Sequence, residues 1–232
     1  MTPDTTPDPT HARPAEPTAP AEPAAPAEPA ARAEPTDSTE PTDTATRRAR
    51  TVTNVLQPRN LILAASPGIG LATAGDWTGI PWGLLAALCA GLIPAGYIQW
   101  HVKRGAWGDR HVADRTQRGP IFLVILGSIG TGAALMLLGG APTGILATML
   151  ALWVMTVGLL AVNTVWKISV DAAVASGVVA LLAAAHSPWW LLAYTLVAAV
   201  CWSRVVLTYH TVAQTIAGTA LGATTAAAFL FV

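Results

Sequence analysis

From residue 60 onward the chain alternates long apolar runs with short polar breaks. The runs cover 60–75, 82–99, 119–166, 168–185, 188–203 and 211–232. A helix needs about 20 apolar residues to cross the hydrocarbon core of a bilayer. The uncharged stretch 119–166 is long enough for two such helices, and Gly139-Gly140-Ala141-Pro142-Thr143-Gly144 is the turn expected between them. Ser66-Pro67-Gly68 interrupts the first run, and His186-Ser187-Pro188 breaks the chain between the fifth and sixth spans. The pattern predicts an all-α fold: a polytopic transmembrane helical bundle of six or seven spans. Trp77, Trp82, Trp100, Trp166, Trp189, Trp190 and Trp202 fall near the predicted ends, where interfacial tryptophans collect.

Composition sharpens this picture. Apolar residues make up 53% of the chain and charged residues 11%, less than half the roughly 25% of soluble domains. Residues 1–50 hold nine of the 13 acidic and five of the 13 basic side chains. Residues 51–232 keep only Asp76, Asp109, Asp114 and Asp171 against eight bases. A body so poor in charge cannot solvate its own surface. That excludes a water-soluble enzyme, a secreted disulfide scaffold and a nucleic-acid binder, and leaves the lipid bilayer as partner. Cys89 and Cys201 lie in apolar runs, so neither a disulfide framework nor a zinc site is expected.

Residues 1–46 are of another kind. They carry 11 of the 18 prolines, and Ala-Glu-Pro recurs so that Glu16, Glu22, Glu28 and Glu34 stand six residues apart. Nothing in this stretch can bury a core. Residues 1–50 are therefore expected to form a disordered tail, a solvated spacer ahead of a membrane domain at 51–232. No apolar stretch follows Met1, so no signal peptide is expected there.

With seven spans, the tail and the connections at 100–118, 166–168 and 204–210 share one side. The opposite connections, at 76–81, 140–143 and 186–188, contain no Lys or Arg. All 13 bases then lie on one face, which the positive-inside rule makes cytoplasmic in a multi-pass protein of the cell membrane. Arg47, Arg48, Arg50 and Arg59 weigh most in this assignment, because they are read as lying outside any site.

Charged groups at membrane depth are expensive and mark function by default. Three clusters stand out. The first is His101-Val102-Lys103-Arg104, continued by Asp109-Arg110-His111 and Asp114-Arg115-Thr116-Gln117-Arg118. The second is Trp166-Lys167-Ile168-Ser169-Val170-Asp171. The third is Ser203-Arg204, then His210-Thr211, Gln214 and Gly218. An even number of predicted spans separates each cluster from the next, so all three are expected on one face. Several fixed cations, a hydroxyl, a carboxylate and an imidazole suit a phosphate group, which needs many donors around it.

The spacing of the third cluster resembles the third motif of the type 2 phosphatidic acid phosphatase superfamily: Ser-Arg, five residues, His, three residues, Asp, then Gly. Ile168-Ser169-Val170-Asp171 stands where that family's second motif, Pro-Ser-Gly-His, falls. The loop 103–120 stands where its first motif, Lys, six residues, Arg-Pro, falls. Lys103 to Arg110 has the spacing without the proline, and His111 to Arg118 has it with Gly119 before Pro120. Arg118 is favoured because it abuts the next span. The resemblance covers about 100–222, and it implies a phosphatase acting on lipid phosphates or prenyl diphosphates. In that family a histidine, here His210, attacks phosphorus, and an Asp partner, here Gln214, orients its ring. The residues implied as phosphate ligands are Arg110, Arg115, Arg118, Lys167, Ser169 and Arg204. The family works without a metal or cofactor, so none is expected.

Two positions depart from the pattern. A Gln at 214 can accept a proton from the ring but offers no negative charge, so His210 is expected to be a weaker base than in a His–Asp pair. Asp171 replaces the histidine that protonates the leaving alcohol. Among cations it is expected to stay ionised, a poor general acid that repels phosphate. Two outcomes follow: a catalytically impaired protein that binds lipid phosphates without turnover, or an enzyme for diphosphates, whose leaving group needs less protonation. Asp171 is also four residues from Lys167, close enough to pair with it on one helix face. A prenyltransferase of the UbiA type needs two Asp-rich magnesium motifs, which four scattered aspartates do not supply.

Overall fold

The computed structural model describes residues 40–104 and 118–231, and their regular structure is entirely helical. The α-helices among these residues are α1 (Glu40–Val55), α2 (Pro58–Ala74), α3 (Gly79–Ala87), α4 (Ile93–Lys103), α5 (Arg118–Leu138), α6 (Thr143–Val165), α7 (Val170–Ala185), α8 (Tyr194–Val206) and α9 (Val212–Ala223). Local chemistry sets many of their ends. Pro58, which has no N–H to lose, opens α2, and Gly75 closes it at φ 78°, donating its N–H to the Leu71 carbonyl at 3.0 Å. Gly140, at φ 73°, makes the α5–α6 turn where the sequence places it.

α3 and α4 are one rod, Gly79–Lys103, joined through a π-helical turn at Leu88–Leu92. Pro94 accounts for the turn. It has no N–H to donate and its ring crowds the carbonyl four residues back, so the helix widens ahead of it. The Ser128 hydroxyl on α5 donates to the Cys89 carbonyl at 2.6 Å and gives the widened turn a partner.

By length and apolarity four stretches among the described residues can cross a membrane: Gly79–Lys103, Gly119–Leu138, Thr143–Val165 and Pro188–Val206. The other three expected runs fall short. α2 has 17 residues and contains Pro67; α7 has 16, because Lys167–Ser169 ahead of it is non-helical, with Ser169 extended. α9 has 12 residues before the chain tightens into a 3-10 helix at Thr224–Phe231. Against the expectation of six or seven spans, four helices among the described residues have the full length. Leu123, Leu137, Leu138 and Val154 stay exposed along them, a surface suited to lipid rather than water.

α7 is the centre of the bundle. Residues 172–181 are all buried, and the helix packs against α2, α8 and α9. Ala172, Ala173, Ala175, Ser176, Gly177 and Ala180 leave room for neighbouring backbones, which is how helices associate where no hydrophobic effect drives them together. α1 crosses the expected tail boundary at residue 50. Ala49 and Thr53 are buried, α1 packs on α8, and the Thr53 hydroxyl donates to Ser203 Oγ at 3.2 Å. Such tertiary contact is what holds a polar segment helical.

Candidate functional site

The second and third polar clusters are joined by backbone. Ser169 is fully buried, and its Oγ accepts from the Ala172 N–H at 3.3 Å, capping α7. Its own N–H donates to the Gln214 carbonyl at 3.3 Å. Gly218 lies one turn further along α9. A Cβ there would stand 2.4 Å from the Ser169 carbonyl oxygen, so only glycine lets α9 lie this close to the start of α7.

Thr211 and Gln214 form a capping box on α9: the Thr211 hydroxyl accepts from the Gln214 N–H at 3.3 Å, and Gln214 Oε1 accepts from the Thr211 N–H at 3.1 Å. The same Oε1 lies 3.1 Å from His210 Nδ1. An amide oxygen accepts only, so this contact requires the proton on Nδ1, which in the neutral ring leaves the lone pair on Nε2. One side chain therefore both starts the helix and selects the imidazole tautomer.

Between Arg204 and His210 the chain turns sharply. The N–H of Tyr209 donates to the Arg204 carbonyl at 3.0 Å and the N–H of Thr208 to the Val205 carbonyl at 2.9 Å. That pair of bonds is a Schellman motif, whose turning residue adopts the left-handed conformation. Here it is Thr208, at φ 56° the one non-glycine residue with positive φ among those described. The His210 N–H also donates to the Arg204 carbonyl, at 3.2 Å. The turn thereby ties the histidine to the arginine at the end of α8.

Arg204 is 1% exposed. Its Nη2 donates to Asp171 Oδ1 at 2.8 Å, its guanidinium carbon lies 5.8 Å from the centre of the Tyr209 ring, and its Nε has no hydrogen-bond partner. A buried guanidinium needs all its donors met, and an unmet one is costly. Lys167 Nζ donates to the Tyr209 carbonyl at 2.8 Å. Lys167 precedes α7, so the shared helix face expected for Lys167 and Asp171 does not exist; the carboxylate instead meets Arg204.

These groups line one cavity of about 600 Å³. Lys167, Asp171, Arg204, Thr208, Tyr209 and His210 contribute to its polar part, and Ile62, Ile98, Phe122, Ile125, Leu152 and Leu159 to its aliphatic part. Ala90, Gly91 and Pro94 bring the π-helical turn into the same wall. A head group and an apolar chain are the two halves such a cavity matches.

Of the expected site residues, Lys167, Asp171, Arg204 and His210 meet at this cavity, and Gln214 supports the histidine from behind. Ser169 does not line it; its hydroxyl is spent on the α7 cap. Arg110 and Arg115 lie outside the described residues, and Arg118 is described only as backbone at the start of α5. Arg59, read from the sequence as lying outside any site, lines the cavity together with Asn54 and Gln57 from the α1–α2 corner. No spacing in the sequence announces it. Its only signal is a lone cation at the edge of an apolar run. Comparison with protein-family models, with curated proteins and with solved structures finds no match for this chain.

Proposed function

We propose that the cavity holds a lipid phosphate or prenyl diphosphate, head group at Lys167 and Arg204 and chain along the aliphatic wall, and that His210 removes its terminal phosphoryl group. The observation that carries this reading is the buried Arg204 Nε without a partner, in a cavity that His210 and Lys167 also line. A phosphoryl oxygen supplies the acceptor that Nε lacks, by a charge-assisted bond. His210 Nε2 attacks phosphorus, the bond to the leaving oxygen breaks, and that oxygen keeps the electron pair. Water then attacks phosphorus, the P–N pair returns to Nε2, and one proton passes to solvent. Lys167 and Arg204 offset the charge on the phosphoryl oxygens throughout.

The same reading relates the chain to the type 2 phosphatidic acid phosphatases and sets it in the cell membrane with its basic loops in the cytoplasm. It also takes α2, α7 and α9 through the bilayer beside the four long helices. α9 with its 3-10 continuation rises about 30 Å or slightly more at about 1.5 and 2 Å per residue, enough to cross. α7 is sheathed by its neighbours and meets little lipid.

A second reading, a lipid-phosphate binder without turnover, is favoured by the ion pair between Asp171 and Arg204. A carboxylate held by a guanidinium donates no proton to a leaving alkoxide, and phosphate must displace it. The test is phosphate release and trapping of acid-labile phosphohistidine from farnesyl monophosphate and farnesyl diphosphate, using the purified protein, His210→Ala and Asp171→His. Release and trapped label are expected in the parent protein and lost by about 10³-fold or more in His210→Ala. Failure of both the parent and Asp171→His on both substrates removes the enzyme, and retained lipid binding then leaves the binder.

A further inference from the structure

The α1–α2 corner presents chemistry that neither the resemblance nor the three clusters contain. Gln57, Pro58 and Arg59 form the first residues of α2 and its cap, and all three line the cavity. A helix N-terminus favours an anion, but the C-terminal carbonyls of α1 lie beside it and oppose one. The carbonyls of Asn54 and Val55 are occupied by side-chain donors. Gln57 Nε2 donates to the Asn54 carbonyl at 3.1 Å, and Asn60 Nδ2 donates to the Asn54 and Val55 carbonyls at 3.2 and 3.0 Å. Arg59 keeps its guanidinium beside Asn60 Oδ1, Nε at 3.4 Å, a weak contact that a phosphate oxygen readily replaces. The buried, unpartnered Arg204 Nε, assigned above to the terminal phosphate, lines the same cavity as Arg59, so one cavity holds two cations for an anionic head group.

We infer that Arg59 and the N-terminus of α2 form a second anion subsite, which takes the inner phosphate of a lipid diphosphate while the terminal phosphate meets Arg204 and His210. The inference rests on the phosphate site proposed above and names its substrate class. It also gives a physical answer to Asp171. In a diphosphate the attack of His210 breaks the P–O–P bridge, and the electron pair stays on the bridging oxygen of a lipid monophosphate. That oxygen needs no proton; Arg59 offsets its charge. A single cation on α2 thus does by electrostatics what a general acid at position 171 would do by proton transfer.

The test is binding, so it does not depend on turnover. Full-length His210→Ala protein is titrated with farnesyl methylenebisphosphonate and with farnesyl monophosphate. Adding Arg59→Gln is expected to weaken the bisphosphonate by about tenfold or more and the monophosphate by less than about threefold, with Arg59→Lys in between. Equal losses for both ligands, no loss for either, or no binding of the bisphosphonate to the His210→Ala protein overturns the subsite. Phosphohistidine formation by the parent protein reads the phosphatase separately, so the two conclusions fail apart.

Discussion

Thr208 is held where threonine is least at ease. Its φ of 56° brings Cβ toward the following carbonyl, and branching at Cβ makes this worse, at a cost of about 1–2 kcal/mol. The turn tolerates it because it places His210 against the end of α8. Thr208→Gly is expected to stabilise the detergent-solubilised protein by about 1 kcal/mol, seen as a melting temperature higher by roughly 2–4 °C. An unchanged or lower melting temperature would mean that the hydroxyl, 2.7 Å from the Leu207 carbonyl, contributes more than the strain removes. Arg204 and Asp171 show the limit of reading residues singly. Each looks like a cation or anion near a helix end, and only their meeting turns them into an ion pair in which buried Arg204 keeps a donor left over.

At the scale of elements the α7–α9 contact decides whether the site exists. A Cβ on Gly218 would lie 2.4 Å from the Ser169 carbonyl, and one on Gly222 would lie 2.1 Å from the Ala173 carbonyl. Backbone oxygens cannot step aside as a flexible side chain would. Gly218→Ala and Gly222→Ala are each expected to destabilise by about 1–3 kcal/mol. Gly218→Ala is also expected to lower phosphohistidine trapping, because it loosens the Ser169–Gln214 bond beside His210. Gly127, on α5, has no atom within 4 Å of where its Cβ would be, so Gly127→Ala is the control and is expected to leave melting unchanged or raise it. Equal effects at 127 and 218 would show that the close approach is unimportant. The element pattern was partly legible beforehand. The turn at Gly140 follows from residue type, whereas the caps made by Ser169, Thr211 and Gln214 were not read from the sequence, which assigns Ser169 and Gln214 to the site. The π-helical turn was not foreseen, although Pro94 was in plain view, because a proline in an apolar run signals a defect without saying which kind.

At the scale of the whole molecule the decisive property is that distant segments share one end of the bundle. α1, the α1–α2 corner, the residues before α7 and the turn after α8 all border one cavity. The proposed orientation puts this end in the cytoplasm. It predicts that Thr51→Cys, on α1, reacts with a membrane-impermeant maleimide only after cells are opened, whereas Trp189→Cys, at the other set of connections, reacts on intact cells. Thr51 and Trp189 are both exposed, and the parent protein with buried Cys89 and half-buried Cys201 is the background control. Labelling of both positions from one side would refute the orientation.

Much of this molecule is a consequence of its solvent and needs no tertiary information. Apolar runs and scarce charge dictate a helical membrane body, since hydrocarbon leaves a backbone no partner but itself. The Ser203–Gly218 spacing and the runs between the clusters lead to the expectation that Lys167, Arg204 and His210 share a site, and all three line one cavity. What the linear pattern does not encode is direction and distance. Whether Asp171 turns to Lys167 or Arg204 depends on where α7 begins, and α7 begins only after an extended Ser169 has been pinned to α9. Arg59 becomes part of a cavity because α1 folds back on α8, a packing choice invisible in a lone cation after a proline. Local chemistry writes the helices and their ends; the orphaned donor of Arg204 and the second cation that joins it arise only when the helices close around them.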